Sequence, residues 1–230
     1  MRSSGLRFRS TIARAIIASF GENPVLKVYD SATARAFGVV GHGAGAGQNS
    51  PFMVRFAEGM AARGVTTATF DFPYIVSRRS VPDKAPVLEA SWREAVEQAR
   101  KLSAKLPLFI GGKSMGGRIA SHIASQGCPG LSGVFFLGYP LHPPGAPEKR
   151  RDAHLPLIQE PMLFVQGSRD AFGTSDEIDA LLPSLKRATL HVVPDGDHSF
   201  KVRARAGLKP DQVLDSIMDT VVEWMDRTQS

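Results

Sequence analysis

The chain has 230 residues, 43% hydrophobic and 22% charged, with a formal net charge of +6. Its single cysteine, Cys128, excludes an internal disulfide and a cysteine-built zinc site. No apolar run approaches the roughly 18 residues of a membrane span, so no membrane partner is expected. The charge is uneven: Arg2, Arg7, Arg9 and Arg14 fall in an acid-free start, which leaves the body near neutral and gives no case for nucleic acid.

Residues 1–21, "MRSSGLRFRSTIARAIIASFG", have the Arg- and Ser-rich composition of an organelle transit peptide. A short surface helix or an over-extended start explains the segment more simply, and a cytoplasmic location is expected. Residues 1–35 are therefore set apart as an N-terminal extension, partly disordered or a surface helix, and residues 36–230 as the folded domain. Strand-like "AFGVVG" (36–41) leads to a helix opened by Ser50 as cap and Pro51 in its first turn. A β-branched strand follows at 65–72, then a helix over 85–106 with Leu88, Trp92, Val96, Ala99 and Leu102 on one side.

After "LFIGG" comes a helix in "SMGGRIASHIASQG", then strands at 133–138, 161–167 and 188–194, a helix near 174–182 and a closing helix in "PDQVLDSIMDTVVEWMDR". Several strands lack polar alternation, as expected when helices cover both faces of a parallel sheet. Regular strand–helix alternation predicts a doubly wound, mostly parallel α/β sheet. Ligands of such sheets sit at the carboxyl ends of strands.

There, "FIGGKSMGGR" (109–118) admits two chemistries. A phosphate loop needs a glycine five residues before Gly112, and that position is Pro107 inside an apolar run. A nucleophile elbow needs very small residues two before and two after the serine, which Gly112 and Gly116 supply around Ser114. A serine hydroxyl needs a histidine to take its proton. The chain order Ser, acid, His then selects Asp170 in "FVQGSRDAFGT" and His198 in "VVPDGDHSF", each just past a strand. Asp195 and Asp197 are the alternative acids, disfavoured because a loop neighbour seldom reaches Nδ1 of its own histidine. His191 falls within a strand, His122 on the helix after Ser114, and His154 beside the Pro-rich stretch; "DGDH" lacks further ligands for a metal, and no metal or cofactor is expected.

The oxyanion needs two donors. Met115 N–H is one, and the loop "GHGAGAGQNSP" offers Ala44, with Gly45 next. His42, Gly45, Tyr74 and His142 are candidates to line the substrate pocket, although His42 fits a loop brace and Tyr74 fits core packing. "GHGAGA" also matches the dinucleotide fingerprint, with Asp71 near the place of a ribose-binding acid. A dinucleotide-dependent oxidoreductase would need those glycines to open the helix directly, and "QNSP" intervenes.

Together, "GHGAGAGQNSPFM", "FDFPY", "GGKSMGGRIAS", "FFLGYPLHPPGAPEKRRDAHL", "FVQGSRDAFGT" and "DGDHSF" resemble the dienelactone-hydrolase-like branch of the α/β-hydrolases. Within it they are most similar to the small hydrolases grouped with testis-expressed and NSL-complex-subunit-like proteins. The resemblance covers about residue 36 to the C-terminus. It implies an α/β-hydrolase fold with little or no lid, trimmed at its N-terminus, and Ser114, Asp170 and His198 as a triad. Dienelactone hydrolases proper use cysteine, so Ser114 points to ester or thioester cleavage of small molecules. Some relatives belong to chromatin complexes, which keeps a non-catalytic interaction protein as the alternative. Peptide-bond cleavage lacks a large selecting lid. Residues 139–160 are expected either to form a small cap over Ser114, with Lys149, Arg150 and Arg151 favouring anionic substrates, or to be a solvated basic loop. Oligomeric state is left open.

Overall fold

A computed structural model describes residues 15–18, 25–204, 207 and 209–229. Among them lie eight strands: β1 (Ala15–Ala18), β2 (Leu26–Tyr29), β3 (Ala36–Gly41), β4 (Val65–Phe70), β5 (Leu108–Lys113), β6 (Leu131–Leu137), β7 (Met162–Gly167) and β8 (Ala188–Val193). They form one sheet in the order β1-β2-β4-β3-β5-β6-β7-β8. Pairing is parallel from β4 through β8 and antiparallel for β1 with β2 and β2 with β4. The helices are α1 (Pro51–Ala62), α2 (Pro73–Val76), α3 (Ala85–Ser103), α4 (Met115–Ser125), α5 (Ser175–Asp179) and α6 (Pro210–Thr228).

Side-chain alternation along the strands builds two cores. In β3, Phe37 and Val39 face one cluster with Trp92 of α3 and Ile119 of α4, while Ala36 and Val40 face the other with Phe56 of α1 and Met218 of α6. β6 repeats this, with Val134 and Phe136 on the first side and Phe135 and Leu137 on the second. Successive strand residues point to opposite faces, and both faces of the inner strands β3, β4 and β7 are covered, so no polar alternation survives there, while the edge strand β8 is partly exposed. Full burial contributes about 1.5–3 kcal/mol per large apolar side chain.

Three expectations need correction. Residues 15–18 and 26–29 were set apart as extension, yet they are strands that continue the sheet past β4, because "LKVY" offers β4 a further antiparallel partner. The rest of the Arg-rich start lies outside the described residues, so its reading as targeting segment or surface helix has no counterpart here. Ser50 does hold the N-cap position of α1, but its side chain makes no capping bond, and Pro51 alone supplies the start signal. The helix expected near 174–182 is the short α5, held by a capping box between Thr174 and Glu177, followed by a 3-10 turn at Leu182–Ser184.

The sheet order reverses between β3 and β5: from β3 the chain steps to β4 on one side, then crosses to β5 on the other. That switch point opens a crevice beyond the carboxyl ends of β3 and β5. The loop at 42–50 and Ser114 both emerge into it.

Candidate active site

Ser114 sits between β5 and α4 with φ 51° and ψ −116°. A non-glycine residue in this region is strained, typically by about 1–3 kcal/mol, and persists only where its surroundings fix it. The surroundings do so here. A Cβ on either Gly112 or Gly116 would collide with the Gly41 carbonyl oxygen, so both must be glycine for the turn to pack against β3. Trp92, wholly buried, donates Nε1–H to the Gly116 carbonyl at 3.1 Å and fixes the first turn of α4.

The Ser114 hydroxyl lies 2.8 Å from His198 Nε2, and His198 Nδ1 lies 2.7 Å from Asp170 Oδ2. A carboxylate only accepts, so Nδ1 carries the proton and Nε2 is left to accept the serine O–H. Asp170 is 1% exposed. Its Oδ1 accepts from Phe172 N–H at 2.8 Å, and its Oδ2 also accepts from Gln166 Nε2 at 3.0 Å. The Phe172 ring packs on the imidazole at 4.2 Å between centroids. Asp195 is instead taken up by Arg203 and Arg169, and Asp197 by the backbone N–H groups of Ser199 and Lys201, so neither alternative acid reaches His198.

Two supporting residues escaped the sequence reading. Gln166, buried at the end of β7, accepts from Tyr139 N–H at 2.8 Å and donates to Gly173 O at 2.6 Å as well as to Asp170. It locks the two loops that flank the acid. Its signal was an amide closing an otherwise apolar strand, "MLFVQG". Lys113, the residue before Ser114, donates Nζ–H to the His198 carbonyl at 2.5 Å and lies over the Phe200 ring at 5.2 Å. Burial pushes its ammonium down to about 8, although the charges of Asp170 and Asp197 pull the other way.

Two cavities meet at Ser114. The larger, about 460 Å³, is lined by Phe52, Met53, Lys113, Phe172 and His198 together with the 43–46 loop. The smaller, about 280 Å³, is lined by Ala44, Met115, Arg118, Pro140, Arg151 and Phe172, which it shares with the larger, but not by His198 itself. Met115 heads α4, where first-turn N–H groups have no intrahelical acceptor.

The sequence matches the family described as an alpha/beta hydrolase domain over residues 34–226. The chain belongs to the α/β-hydrolase family. Among solved structures it is similar to a dienelactone hydrolase from Anabaena variabilis, with 21% identity, a TM-score of 0.71, and 93% of this chain and 96% of that one covered. It is also similar to a soluble variant of monoglyceride lipase from Saccharomyces cerevisiae, with 16% identity, a TM-score of 0.73, and 99% of each chain covered. Est1E from Butyrivibrio proteoclasticus shares 16% identity at a TM-score of 0.68, over 93% of this chain and 98% of that one. At these identities the likeness is one of fold.

Within this α/β-hydrolase, the expected pocket residues divide. Gly45 and Ala44 line the larger cavity. His42 does not. It is fully buried, donates Nδ1–H to Gly43 O at 2.8 Å and accepts from Phe72 N–H at 3.1 Å, so it braces the loop, and burial lowers its pKa. Tyr74 is also fully buried beneath that loop, donating its hydroxyl to Ala44 O at 2.9 Å, with its pKa pushed up to about 12 by burial. His142 faces the Pro143 carbonyl and Glu177, outside both cavities. Asp71, the would-be ribose acid, accepts from Gln48 N–H at 2.7 Å and Gln48 Nε2 at 3.2 Å, so both of its oxygens hold the glycine loop instead.

The expected cap is packed in at the sheet end. Tyr139, Leu141, Leu155 and Ile158 enter the main core, and Pro140 and Arg151 wall the smaller cavity. Lys149 and Arg150 are exposed and line neither cavity; Arg150 pairs with Asp152.

Proposed function

We propose that this protein is a serine hydrolase that cleaves carboxyl esters or thioesters of small molecules through an acyl-enzyme. The observation that carries the reading is the unbroken Ser114–His198–Asp170 hydrogen-bond chain, at 2.8 and 2.7 Å, on a strained strand-to-helix turn.

Ser114 Oγ attacks the carbonyl carbon as its proton passes to His198 Nε2. Asp170 holds the Nδ1–H tautomer and stabilises the imidazolium that forms. The carbonyl oxygen, now negative, accepts from the N–H groups of Met115 and Ala44, which line the cavity junction with Ser114. Collapse breaks the bond to the leaving oxygen or sulfur, which takes the proton from Nε2. Water then repeats the sequence on the acyl-enzyme, releasing the acid and restoring the serine.

A fluorophosphonate probe tests the nucleophile. Labelling of folded wild type that disappears in Ser114→Ala supports the reading, and p-nitrophenyl esters of graded acyl length then define the preferred substrate. Folded wild type that neither labels nor turns over any ester leaves a non-catalytic interaction protein on a hydrolase shell.

A further inference from the structure

The two cavities at Ser114 differ in one respect that bears on which half of an ester each receives. His198 must deliver its proton to the leaving group, so that group lies on the imidazole side, in the larger cavity that His198 lines. The acyl half is left to the smaller cavity, which His198 does not line.

That cavity carries two guanidinium groups, Arg118 from α4 and Arg151 from the 139–160 segment. Arg118 Nη1 donates to His122 Nε2 at 3.3 Å, a neutral acceptor because His122 gives its Nδ1–H to Glu89 at 2.8 Å. Its Nε is buried with no hydrogen-bond partner among the described residues. Arg151 makes no side-chain hydrogen bond or ion pair among those residues. Asp83 is the one acid in the cavity lining; its Oδ1 accepts from Arg79 at 2.7 Å, which offsets its charge, and its buried Oδ2 has no hydrogen-bond partner among the described residues. Glu89, which faces Arg118 from α3, is held by His122 and by Gln126 Nε2 at 3.1 Å. Asp152, beside Arg151 in sequence, accepts from Arg150 Nε at 3.0 Å. Burial depresses the Arg118 pKa, with the charge of Arg151 adding to it and Tyr139 and Glu89 opposing.

We propose that Arg118 and Arg151 form an acyl-side anion subsite, and that the substrates are half-esters or half-thioesters of short dicarboxylic acids. The proposal rests on the serine-hydrolase reading and specifies its acyl group. Paired guanidiniums suit a planar carboxylate, which one or both can engage through two parallel N–H bonds. Placement agrees: Arg118 N–H bonds to the Ser114 carbonyl at 3.0 Å in the first turn of α4, and Ser114, Arg118 and Arg151 line the same cavity.

The test uses mono-4-nitrophenyl adipate and its methyl ester, which differ in one charge and little in shape. Wild type is expected to show kcat/KM at least about tenfold higher for the acid, shrinking as salt is raised. In Arg118→Gln and Arg151→Gln the acid-to-neutral ratio falls toward about one. In Arg151→Glu the preference inverts in favour of a matched ester bearing a terminal amine, which a merely structural role for Arg151 would not produce. Equal kcat/KM for the two esters in wild type overturns the subsite without needing any variant, as does a ratio that survives both glutamine substitutions. Turnover of the methyl ester without preference leaves the hydrolase reading standing, whereas loss of both turnover and fluorophosphonate labelling in folded wild type removes that reading first.

Discussion

Two serine–histidine pairs lie two helical turns apart, and only one has the geometry that the proposed mechanism requires. Ser114 meets His198 at 2.8 Å and Ser121 meets His154 at 2.7 Å, so distance does not separate them. The direction of the hydrogen does. Ser121 Oγ donates to the Arg118 carbonyl at 2.6 Å, as helical serines often do, and therefore accepts from His154 Nε2. That imidazole is a donor with no free lone pair at Nε2 for a proton. Ser121 is also fully buried inside α4, whereas Ser114 opens onto both cavities. A carboxylate fixes the tautomer of His198, while no carboxylate hydrogen-bonds His154 among the described residues. A nucleophile thus needs an acceptor nitrogen, an exposed oxygen and an acid behind the base, all at one place.

The comparison can be broken most sharply at the serines. Ser114→Ala is expected to lower kcat by roughly 10⁴–10⁶-fold, read with a chromogenic ester. Next in size, Asp170→Asn should cost about 10⁴-fold in kcat, since an amide that donates to Nδ1 favours the tautomer with its proton on the wrong nitrogen. Gln166→Leu removes one donor from the Asp170 carboxylate and leaves Tyr139 N–H without its acceptor. A fall of about 10- to 100-fold in kcat with little change in KM is expected, and an unchanged kcat would refute its positioning role.

The second pair has a signature in stability. Burial above all, with the neighbouring charge of Arg118, pushes the His154 pKa down to about 4. An unfolded histidine titrates near 6.5, so between pH of about 6.5 and 4 the unfolded chain holds a proton that the folded chain lacks. Stability therefore falls as pH drops through that window. His154→Gln should flatten the Tm profile there by a few degrees relative to wild type. His42, Glu89 and the other shifted groups act in both proteins and cancel in the difference; parallel profiles would sink the assignment. Smallest of all, Ser121→Ala should leave ester turnover within about twofold and fluorophosphonate labelling intact, and a loss comparable to that of Ser114→Ala would overturn the contrast.

Much of this was legible in the sequence because the relevant constraints are local. Gly112 and Gly116 announce the elbow, since no larger residue fits the turn, and strand-end placement selects Asp170 and His198 from the other acids and histidines. Ambiguity entered where one residue type serves two needs. His42 and His142 stand just past strands, as pocket residues do, but a loop turning away from a sheet has backbone groups to satisfy, and the imidazoles go to those. Tyr74 follows β4 and supports the same loop from below. Arg118 went unnoticed because one arginine in a helix reads as surface; only the fold brings it beside Arg151. The first two strands were hidden by brevity, four residues each, next to an arginine-rich stretch that drew the eye to composition.

The pairing of β1 with β2 has a practical bearing on how the protein is handled. β1 shields the outer hydrogen-bonding groups of β2, and it occupies residues 15–18, within the stretch that a targeting interpretation would discard. Trimming the polypeptide to residue 22, whether by protease or by cloning, would strip the rim of the sheet and bare a ladder of amides and carbonyls. Such an open margin invites pairing with another molecule, so a shortened version should self-associate more readily than the intact one, even with every active-site group untouched.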